Sequence, residues 1–264
     1  MNTAGAYIFK DVTLLITHYN RSQSLANLLS NLQKLNCQFE EIVVSDDGSE
    51  MAHLTLVQEL QDQYHFKLIT TPKNKGLGNN INKGQAAVAT PLTLYIQEDF
   101  EAKTIFPSKL QTAVALMHEK PEVDLVRFYA YFEYPFLKPV RDGFYEMLFS
   151  VWKPGYRKFY VYSDHPHLRR TNFCTKFGPY REGVKGDDTE YDMMMSFLSS
   201  QGKAIFYRDF NGLFTQRNST EEPSTMRRNY LRESQNPLVK AMRHIYRHFK
   251  FNRDYAFKYP TKKS

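Results

Sequence analysis

The order of hydrophobic and polar positions predicts strands and helices in turn over the first hundred residues. Four short apolar runs rich in strand-forming residues lie at 12–17, 41–45, 66–70 and 92–96. Between them, apolar side chains recur at helical spacing in the segments 25–32, 54–60 and 81–89. We expect Ser22 or Ser24 to cap the first of these helices. This alternation predicts a parallel sheet with crossover helices, an architecture typical of nucleotide-binding proteins.

The second half of the chain follows a different pattern. Apolar spacing predicts a helix at 110–117 and a strand at 123–130. The segment 128–162 is crowded with Tyr and Phe and contains the single tryptophan, Trp152. Such an irregular segment either covers the sheet or presents aromatic faces to a ligand, and we interpret it as a wall of a binding site. A further helix is expected to begin near residue 186.

Composition places the chain among globular proteins. Its 264 residues are 42% hydrophobic and 24% charged, which excludes a disordered chain. No apolar run approaches the roughly 20 residues of a membrane span, and Asp11 and His18 interrupt the N-terminal apolar stretch, unlike in a signal peptide. Cys37 and Cys174 provide neither a disulfide framework nor a metal-binding spacing. These features predict a cytosolic protein.

The net charge of +7 comes from the C-terminal tail. Residues 226–264 contain eleven Lys and Arg against two acids, a net charge of +9, which leaves about −2 for the rest. Pro237 is expected to open a helix in this tail. The residues predicted for its apolar and then its basic face are Leu238, Met242, Ile245 and Phe249, and Lys240, Arg243, Arg247 and Lys250. Either the apolar face packs on the body or the helix binds an anionic membrane surface, whereas nothing else supports a nucleic-acid partner.

Three carboxylates follow the fourth apolar run. Glu98, Asp99 and Glu101 come at the end of a predicted strand, and this end of a parallel sheet is where open α/β folds bind ligands. Carboxylates this close together favour a cation or a positively charged partner. The alternative is an acidic loop that returns the chain to solvent.

Two further motifs are expected on the same edge of the sheet. Asp46 and Asp47 follow the second strand, so that one can cap the next helix and the other is free to accept a hydrogen bond from a base. Lys75, Gly76 and Gly78 form a loop suited to a phosphate, although it is neither a Walker loop nor a dinucleotide fingerprint.

Four carboxylates cluster at the expected start of the helix near residue 186. They are Asp187, Asp188, Glu190 and Asp192. Carboxylates in this position stabilise the helix dipole, and one that faces a cleft is also suited to act as a general base.

In their order and spacing, these motifs resemble those of the inverting glycosyltransferase family 2, which has the GT-A fold. The matching segments are 16–21, 44–49, 74–84, 97–99, 178–182 and 186–190. The resemblance implies an α/β fold with a Rossmann-like, mostly parallel central sheet flanked by helices. The expected divisions are a catalytic domain at 1–222, with a nucleotide-sugar half at about 1–105 and an acceptor half at 106–222, and a basic amphipathic helical tail at 223–264.

The resemblance also implies an activity, namely transfer from a nucleotide sugar, with a UDP-sugar expected, to a hydroxyl of a glycan or lipid-linked glycan. The residues implied to bind the donor are Thr17, Tyr19, Asn20, Asp46, Asp47, Lys75, Gly76 and Glu98. Among them, Asp46 or Asp47 would pair with the base and Glu98 would face the ribose.

The resemblance assigns the remaining roles to the acidic strand end and to the acidic helix start. Asp99 would bind a divalent cation, Mn²⁺ or Mg²⁺, that bridges the diphosphate and neutralises the leaving group. Asp188 would be the general base, with Asp187 and Glu190 in support, and Arg217 could meet the diphosphate. We expect a cytoplasmic enzyme of a surface polysaccharide or glycolipid pathway, either free or peripheral at the inner face of the membrane.

Three positions depart from the family's pattern. Gln97 replaces the first aspartate of the metal motif, and no arginine precedes the asparagine of the third motif, where Lys75 or Lys83 could compensate. Gln216 or Arg217 stands where many relatives have a histidine ligand. These departures motivate the alternative of a catalytically inactive subunit that binds a nucleotide sugar or glycan, against which the retention of Asp99 and Asp188 argues.

Overall fold

A computed structural model of the chain describes residues 5–217 and 236–259. Within these residues there are eleven strands and seven α-helices. The strands are β1 (Tyr7–His18), β2 (Cys37–Asp46), β3 (Lys67–Ile69), β4 (Leu92–Gln97), β5 (Phe100–Ala102), β6 (Leu125–Arg127), β7 (Leu137–Arg141), β8 (Phe144–Met147), β9 (His167–Arg170), β10 (Ala204–Tyr207) and β11 (Phe214–Gln216). The helices are α1 (Ser22–Lys34), α2 (Met51–Tyr64), α3 (Leu77–Ala86), α4 (Phe106–Glu119), α5 (Phe173–Phe177), α6 (Gly186–Ser199) and α7 (Pro237–Phe257).

Nine of these strands form one sheet in the order β3-β2-β1-β4-β9-β6-β10-β8-β7. Strands β3, β2, β1 and β4 pair in parallel, as the crossover helices between them require. Strand β9 lies antiparallel between β4 and β6, and β10 pairs in parallel with β6. Strands β5 and β11 form a separate antiparallel pair. The predicted α/β fold with a mostly parallel central sheet is confirmed, and this sheet includes strands from both predicted halves.

The pairing register brings several strand ends together at one edge of the sheet. The facing pairs are Thr17 with Gln97, His18 with Asp46, Tyr95 with His167, and Arg127 with His167. Because β9 is antiparallel, its first residue lies beside the carboxyl ends of β4 and β6. Residues just before His167 therefore join the edge where open α/β sheets bind ligands.

Apolar side chains are buried on both faces of the sheet. Leu14 and Ile16 belong to a core shared with α1, α2 and α4, whereas Leu15 belongs to a core shared with α3, α5, α6 and α7. Because both faces are covered, the central strands are continuous apolar runs without polar alternation.

Some predicted element ends and both predicted helix caps are wrong. The helix predicted at 81–89 spans Leu77–Ala86, and the strand predicted at 123–130 is three residues long. Neither α1 nor α2 has a side-chain hydrogen bond at its N-cap position. The Ser22 hydroxyl instead shares a hydrogen bond of 2.9 Å with His53 Nδ1, which ties α1 to α2.

Helix α7 packs on the body through a face that the sequence did not predict. Phe251 and Asp254 are buried at 5% and 0% exposure, and the Phe251 ring contacts aromatic rings of the body. Met242, Ile245 and Phe249 are 63%, 57% and 70% exposed, so the hypothesis that this face packs on the body is wrong. None of the helices in the described ranges is both long and apolar enough to cross a membrane.

Parts of the predicted tail are not covered by this description. The boundary expected at residue 222 lies outside the described residues, as do the basic positions in 226–235 and 260–264.

Asp254 is the buried charge at the interface of α7 with the body. Its carboxylate accepts hydrogen bonds from Lys250 Nζ at 2.8 Å, from Arg253 Nη2 at 3.0 Å and from the Tyr191 hydroxyl at 2.9 Å. Burial alone would raise the pKa of Asp254, but these hydrogen bonds outweigh burial and hold the pKa well below its usual value. The ionised carboxylate therefore stabilises the packed helix.

Replacing Asp254 with asparagine is expected to lower the free energy of unfolding at pH 7 by about 1–3 kcal/mol, because hydrogen bonds to a charged group are lost. The folded-state pKa lies below the unfolded value of about 3.9, so the wild-type contribution is complete above that pH and is lost as the pH falls towards the folded-state pKa. Urea unfolding at pH 7 and pH 3 measures the difference, with Asp62→Asn, an exposed acid of α2, as the control. A difference that grows on acidification would contradict this role.

Candidate active site

Asp46 fixes the turn after β2. Its Oδ1 lies 2.8 Å from His18 Nδ1, and its Oδ2 accepts the backbone N–H groups of Gly48 and Ser49 at 3.0 Å each. Burial would raise the pKa of Asp46, but the hydrogen bonds from His18 and Ser49 outweigh it and lower the pKa. The backbone N–H of Asn20 donates to Ser49 Oγ at 2.8 Å. Asp46 and Asn20, both expected to bind the donor, thus support this turn.

Asp47 orders the loop between β3 and α3. Its Oδ1 accepts the N–H of Lys75 at 2.9 Å and its Oδ2 accepts the N–H of Gly76 at 2.8 Å. Burial raises the pKa of Asp47 against the lowering effect of these bonds. Gly48, with φ +70°, allows this loop to approach the turn after β2 closely. A Cβ at Gly48 would overlap the backbone of Lys73. Asp47 thus has a local role in ordering this loop, and its contact with a base stays a prediction.

The other residues predicted to bind the donor lie at the same edge. Thr17 is buried and shares a hydrogen bond of 3.0 Å with the Tyr95 hydroxyl, and Tyr19 is half-buried at the end of β1. Lys83 donates a hydrogen bond to the carbonyl oxygen of Asp46, and burial lowers the pKa of its ammonium. The Lys75 side chain is exposed. Of the two lysines, Lys75 is the one accessible to a phosphate.

A buried arginine lies between the two acids that follow β4. Arg21 Nη1 is 3.0 Å from Glu98 Oε1 and 3.4 Å from Asp99 Oδ2. Burial and the charge of Asp99 raise the pKa of Glu98 to about 8, against the lowering effect of Arg21. The positively charged partner expected for this cluster is therefore supplied in part by the chain itself. A ribose at Glu98 would share that carboxylate with Arg21.

Asp99 keeps one oxygen without a partner. Its Oδ2 accepts a hydrogen bond from Gln216 Nε2 at 2.9 Å, and its carbonyl oxygen accepts the N–H of Arg217 at 2.7 Å. Its Oδ1 is buried and has no hydrogen-bond partner among the described residues. The pairing of β5 with β11 brings Gln216 to this position. The exposed guanidinium of Arg217 forms an ion pair with Glu101.

The acids at the start of α6 lie in two environments. Asp188 is exposed, and its carboxylate makes no hydrogen bond or ion pair within residues 5–217 and 236–259. Asp187 is half-buried, and its charge acts to raise the pKa of Asp164. Glu190 Oε1 accepts the backbone N–H of Asp164 at 3.3 Å. No side chain caps this helix, so capping does not account for the cluster, and Asp188 is open to a substrate hydroxyl.

Comparison with known families decides the assignment. The model of the family described as "Glycosyl transferase family 2" matches residues 13–182, more than half of the chain. The chain belongs to glycosyltransferase family 2. The match includes the Asp46–Asp47 turn and the Glu98–Asp99 strand end. The family and the enzyme class predicted from the sequence are confirmed.

This family 2 glycosyltransferase is similar in sequence to a polysaccharide synthase and to a galactosyltransferase. It is 29% identical over 73 residues to the poly-beta-1,6-N-acetyl-D-glucosamine synthase of Staphylococcus aureus strain COL, which covers 28% of the chain and 18% of the relative. It is 21% identical over 217 residues to the cholesterol galactosyltransferase of Borreliella burgdorferi, which covers 75% of the chain and 60% of the relative. The match thus spans about a fifth of the synthase and about three fifths of the galactosyltransferase.

Solved glycosyltransferase structures share the fold. Staphylococcus aureus TarS, residues 1–349 in complex with UDP-GlcNAc, aligns over 96% of this chain and 76% of its own with a TM-score of 0.60 and 16% identity. The mannosyltransferase PcManGT from Pyrobaculum calidifontis, in complex with GDP-Man and Mn²⁺, aligns over 91% and 63% with a TM-score of 0.57 and 14% identity. These likenesses confirm the predicted GT-A fold.

The end of β4 fits the divalent cation that the glycosyltransferase family implies. Across residues 5–217 and 236–259, no group of three or more His, Cys, Asp or Glu could hold a metal ion by itself. A Mg²⁺-type ion that binds together with substrate phosphates needs only one or two protein carboxylates. The buried Oδ1 of Asp99, which lacks a partner among the described residues, offers one such ligand. The site therefore fits a cation that arrives with a diphosphate.

Proposed function

We propose that this glycosyltransferase transfers a sugar from a UDP-sugar, with inversion at the anomeric carbon, to a hydroxyl of a glycan or lipid-linked glycan. The proposal depends on one observation, the buried Oδ1 of Asp99, which has no partner in the described part of the chain and lies at the sheet edge that also receives the start of α6. The structures of TarS and PcManGT hold UDP-GlcNAc and GDP-Man, which supports a nucleotide-sugar donor.

The donor would lie along the carboxyl ends of β1, β2 and β4. The residues assigned to it are Thr17, Tyr19, Asn20, Asp47, Lys75, Gly76 and Glu98, with Asp46 as a support. Asp47 holds the backbone of the loop that carries Lys75. The position of the Lys75 side chain, which would meet the phosphates, therefore depends on the same aspartate that would meet the base. The ammonium of Lys75 would lie against the diphosphate.

A bound Mn²⁺ or Mg²⁺ would neutralise the charge that develops on the departing nucleoside diphosphate. Asp99 would hold this cation together with the diphosphate. The Tyr131 hydroxyl donates to Gln216 Oε1 at 2.9 Å, and Gln216 in turn donates to Asp99 Oδ2, which orients the carboxylate. Arg21 pairs with Glu98 and so limits the repulsion between the two adjacent acids.

Asp188 would act as the general base. As the acceptor oxygen forms its bond to the anomeric carbon, the carboxylate of Asp188 takes the hydroxyl proton and the bond to the phosphate oxygen breaks on the opposite face. An exposed carboxylate at a helix N-terminus is reachable by an acceptor from solvent. Asp187 and Glu190 would support the acceptor side.

A panel of UDP-, GDP- and dTDP-sugars, each with Mn²⁺, Mg²⁺ or EDTA, tests this function. We expect slow release of one nucleoside diphosphate that requires the metal. Tight binding of a donor without turnover, even with candidate acceptors, would favour the inactive binding subunit that Gln97 suggested. Absence of binding for every donor under every metal condition would contradict the proposed function.

We further propose that α7 binds the surface of an anionic membrane. Its exposed large apolar side chains, each 57–83% exposed, are Met242, Ile245, Tyr246, Phe249 and Phe257. Their helical spacing places them on one stripe. The basic residues on or next to the same helix are Lys240, Arg243, Arg247, Lys250, Arg253 and Lys258. Lys250, Arg253 and Lys258 pair with Asp254 and Arg247 packs on the Tyr156 ring, so only part of this charge faces outward. An exposed basic residue attracts anionic lipid by about 1 kcal/mol near the surface, which would suit a lipid-linked acceptor at the inner face of the cytoplasmic membrane.

The double variant Ile245→Ser/Phe249→Ser is expected to weaken binding to vesicles that contain anionic lipid, by roughly tenfold for each apolar side chain removed. Vesicle flotation of the full chain measures this, with neutral phosphatidylcholine vesicles for comparison. Leu56→Ser, an exposed leucine of α2, is the matched control and should bind as the wild type does. Equal flotation of the double variant and the wild type would rule out this surface.

A further inference from the structure

A small cavity lies between the Asp99 side of the site and the start of α6. It encloses about 80 Å³, and the polar residues in its wall are Arg127, Tyr131, Tyr160, Ser163, His165 and Glu190. The Tyr131 hydroxyl connects it through Gln216 to Asp99, and Glu190 belongs to the first turns of α6. We name it the carboxyl-pair cavity, after Glu190 and its neighbour Asp164.

Arg127 brings a positive charge to the wall of the carboxyl-pair cavity. It is 4% exposed, and burial lowers its pKa to about 10, which leaves it charged at neutral pH. Its terminal nitrogens donate to the Tyr160 carbonyl and to Ser163 Oγ at 2.6 Å each, and to the Tyr129 carbonyl at 3.3 Å. Its Nε is buried without a partner among the described residues. Both N–H groups of Nη2 are already engaged, so a two-pronged ion pair with a substrate carboxylate would have to displace them, and Nε is left as a single donor.

Glu190 lines the cavity, and Asp164 adjoins it through its backbone N–H, which donates to Glu190 Oε1 at 3.3 Å. Burial raises the pKa of Asp164 to about 6, against the lowering effect of a hydrogen bond from Glu190. Burial and the charge of Asp164 raise the pKa of Glu190 well above its usual value. The nearby charge of Asp187 acts in the same direction on Asp164, whereas Arg127 acts against it. Burial also lowers the pKa of His165 to about 3, so this ring is neutral. These opposite effects favour a proton on Glu190 and a negative charge on Asp164, near the positive charge of Arg127.

We propose that the carboxyl-pair cavity binds one hydroxyl-bearing edge of an uncharged donor sugar, with Glu190 and Asp164 as residues that determine sugar specificity. This inference depends on the proposed function. A sugar attached to a diphosphate at Asp99 and attacked from the side of α6 must lie between them, where the cavity is. A single buried water needs roughly 10–15 Å³ of such space, so the cavity has room for several heavy atoms of a sugar.

The chemistry of the wall selects an uncharged sugar edge. A carboxyl pair with one proton both donates and accepts hydrogen bonds, as sugar hydroxyls require. The aromatic rings around it suit the apolar face of a pyranose. A uronate would instead add a second negative charge beside Glu190, with no free guanidinium to pair with it. We therefore expect hexoses or N-acetylhexosamines to be accepted and uronic acids rejected.

Binding and turnover of UDP, of neutral UDP-sugars and of UDP-glucuronate test this inference in the wild type, Glu190→Gln and Asp164→Asn. Glu119→Gln, an exposed acid paired with Arg141 on the surface, is the matched control. Loss of a hydrogen bond to a charged group should weaken binding of the preferred neutral UDP-sugar by about 10- to 100-fold. The affinity for UDP, which has no sugar, should stay unchanged. Thermal unfolding identifies a variant that fails to fold. If either Glu190→Gln or Asp164→Asn fails to fold, the inference is tested with the other variant.

Four results would overturn the inference, and they are distinguishable. Unchanged UDP-sugar affinity with a raised acceptor KM in both variants would assign the cavity to the acceptor. Equal loss of UDP and UDP-sugar binding would assign the carboxyl pair to the nucleotide site or to the fold. Preference of the wild type for UDP-glucuronate would contradict the uncharged edge while leaving the proposed transferase intact, whereas absence of any donor binding would remove the proposed function as well.

Discussion

Replacing Asp99 with alanine is expected to lower donor turnover by roughly 10³-fold or more, because the cation loses its protein carboxylate and the leaving diphosphate its neutralising charge. Asp99 is 7% exposed, and its Oδ1 has no partner among the described residues, so a bound cation would satisfy an otherwise unpaired buried oxygen. The measurement is release of nucleoside diphosphate from the preferred donor as the Mn²⁺ concentration is varied.

The Asp99 experiment has a matched control on α2. Glu59→Ala removes an exposed carboxylate of that helix and should leave turnover within a few-fold of the wild type. Arg21→Lys tests the contribution of the second positive charge at this position. The variant keeps that charge but loses the planar guanidinium that lies between Glu98 and Asp99. Turnover of Asp99→Ala at the wild-type rate, with or without metal, would show that no essential cation binds at this position.

Replacing Asp188 with asparagine is expected to lower kcat by roughly 10²- to 10⁴-fold, the usual contribution of a general base. The donor Kd should stay unchanged, since Asp188 is assigned to the acceptor hydroxyl and makes no contact that holds the donor loops. Steady-state kinetics with an acceptor, together with donor binding measured by calorimetry, separates the two effects.

The neighbouring Asp187→Asn variant is the matched comparison for the base. Asp187 has the same side chain one position earlier, but it is half-buried and close enough to influence Asp164. We expect it to lower kcat by less than the Asp188 variant does. A larger loss for Asp187→Asn, with Asp188→Asn near the wild type, would transfer the role of base to Asp187.

The sequence predicted the strand ends well because their signals are local. Buried runs such as 92–96 alternate with amphipathic helices, and a parallel sheet necessarily brings their carboxyl ends to one edge. The sequence alone therefore assigns Asp46 and Asp99 to one edge. It does not assign their partners, because the contacts of His18 with Asp46 and of Arg21 with Asp99 join residues far apart in sequence.

Strand β9 shows why part of the sheet was missed. Its sequence contains two arginines, and Arg169 is fully buried with hydrogen bonds to Gln85 and to the Tyr180 hydroxyl. A strand that buries a hydrogen-bonded arginine has no apolar signature. Because β9 was missed, Asp164 just before it was not identified, although β9 brings this acid beside the ends of β4 and β6.

Helix α7 shows how polar contacts can override an apolar pattern. The amphipathic spacing correctly indicated a helix, but the side that packs uses Asp254 with Tyr191, and Arg247 against the Tyr156 ring. The packed face combines these polar contacts with the Phe251 ring, which lies among aromatic rings of the body. The apolar side chains of Met242, Ile245 and Phe249 are left exposed to solvent.

The most direct test of the inverting transfer is the anomeric configuration of the first product, followed by ¹H NMR while an α-linked UDP-sugar is consumed. Direct displacement, with Asp188 as base and the diphosphate leaving at Asp99, predicts a β-configured product. When water is the acceptor, the free β-anomer forms first and mutarotates later. First formation of the α-anomer would contradict inversion, and no metal-dependent consumption of any donor would contradict the transferase mechanism itself.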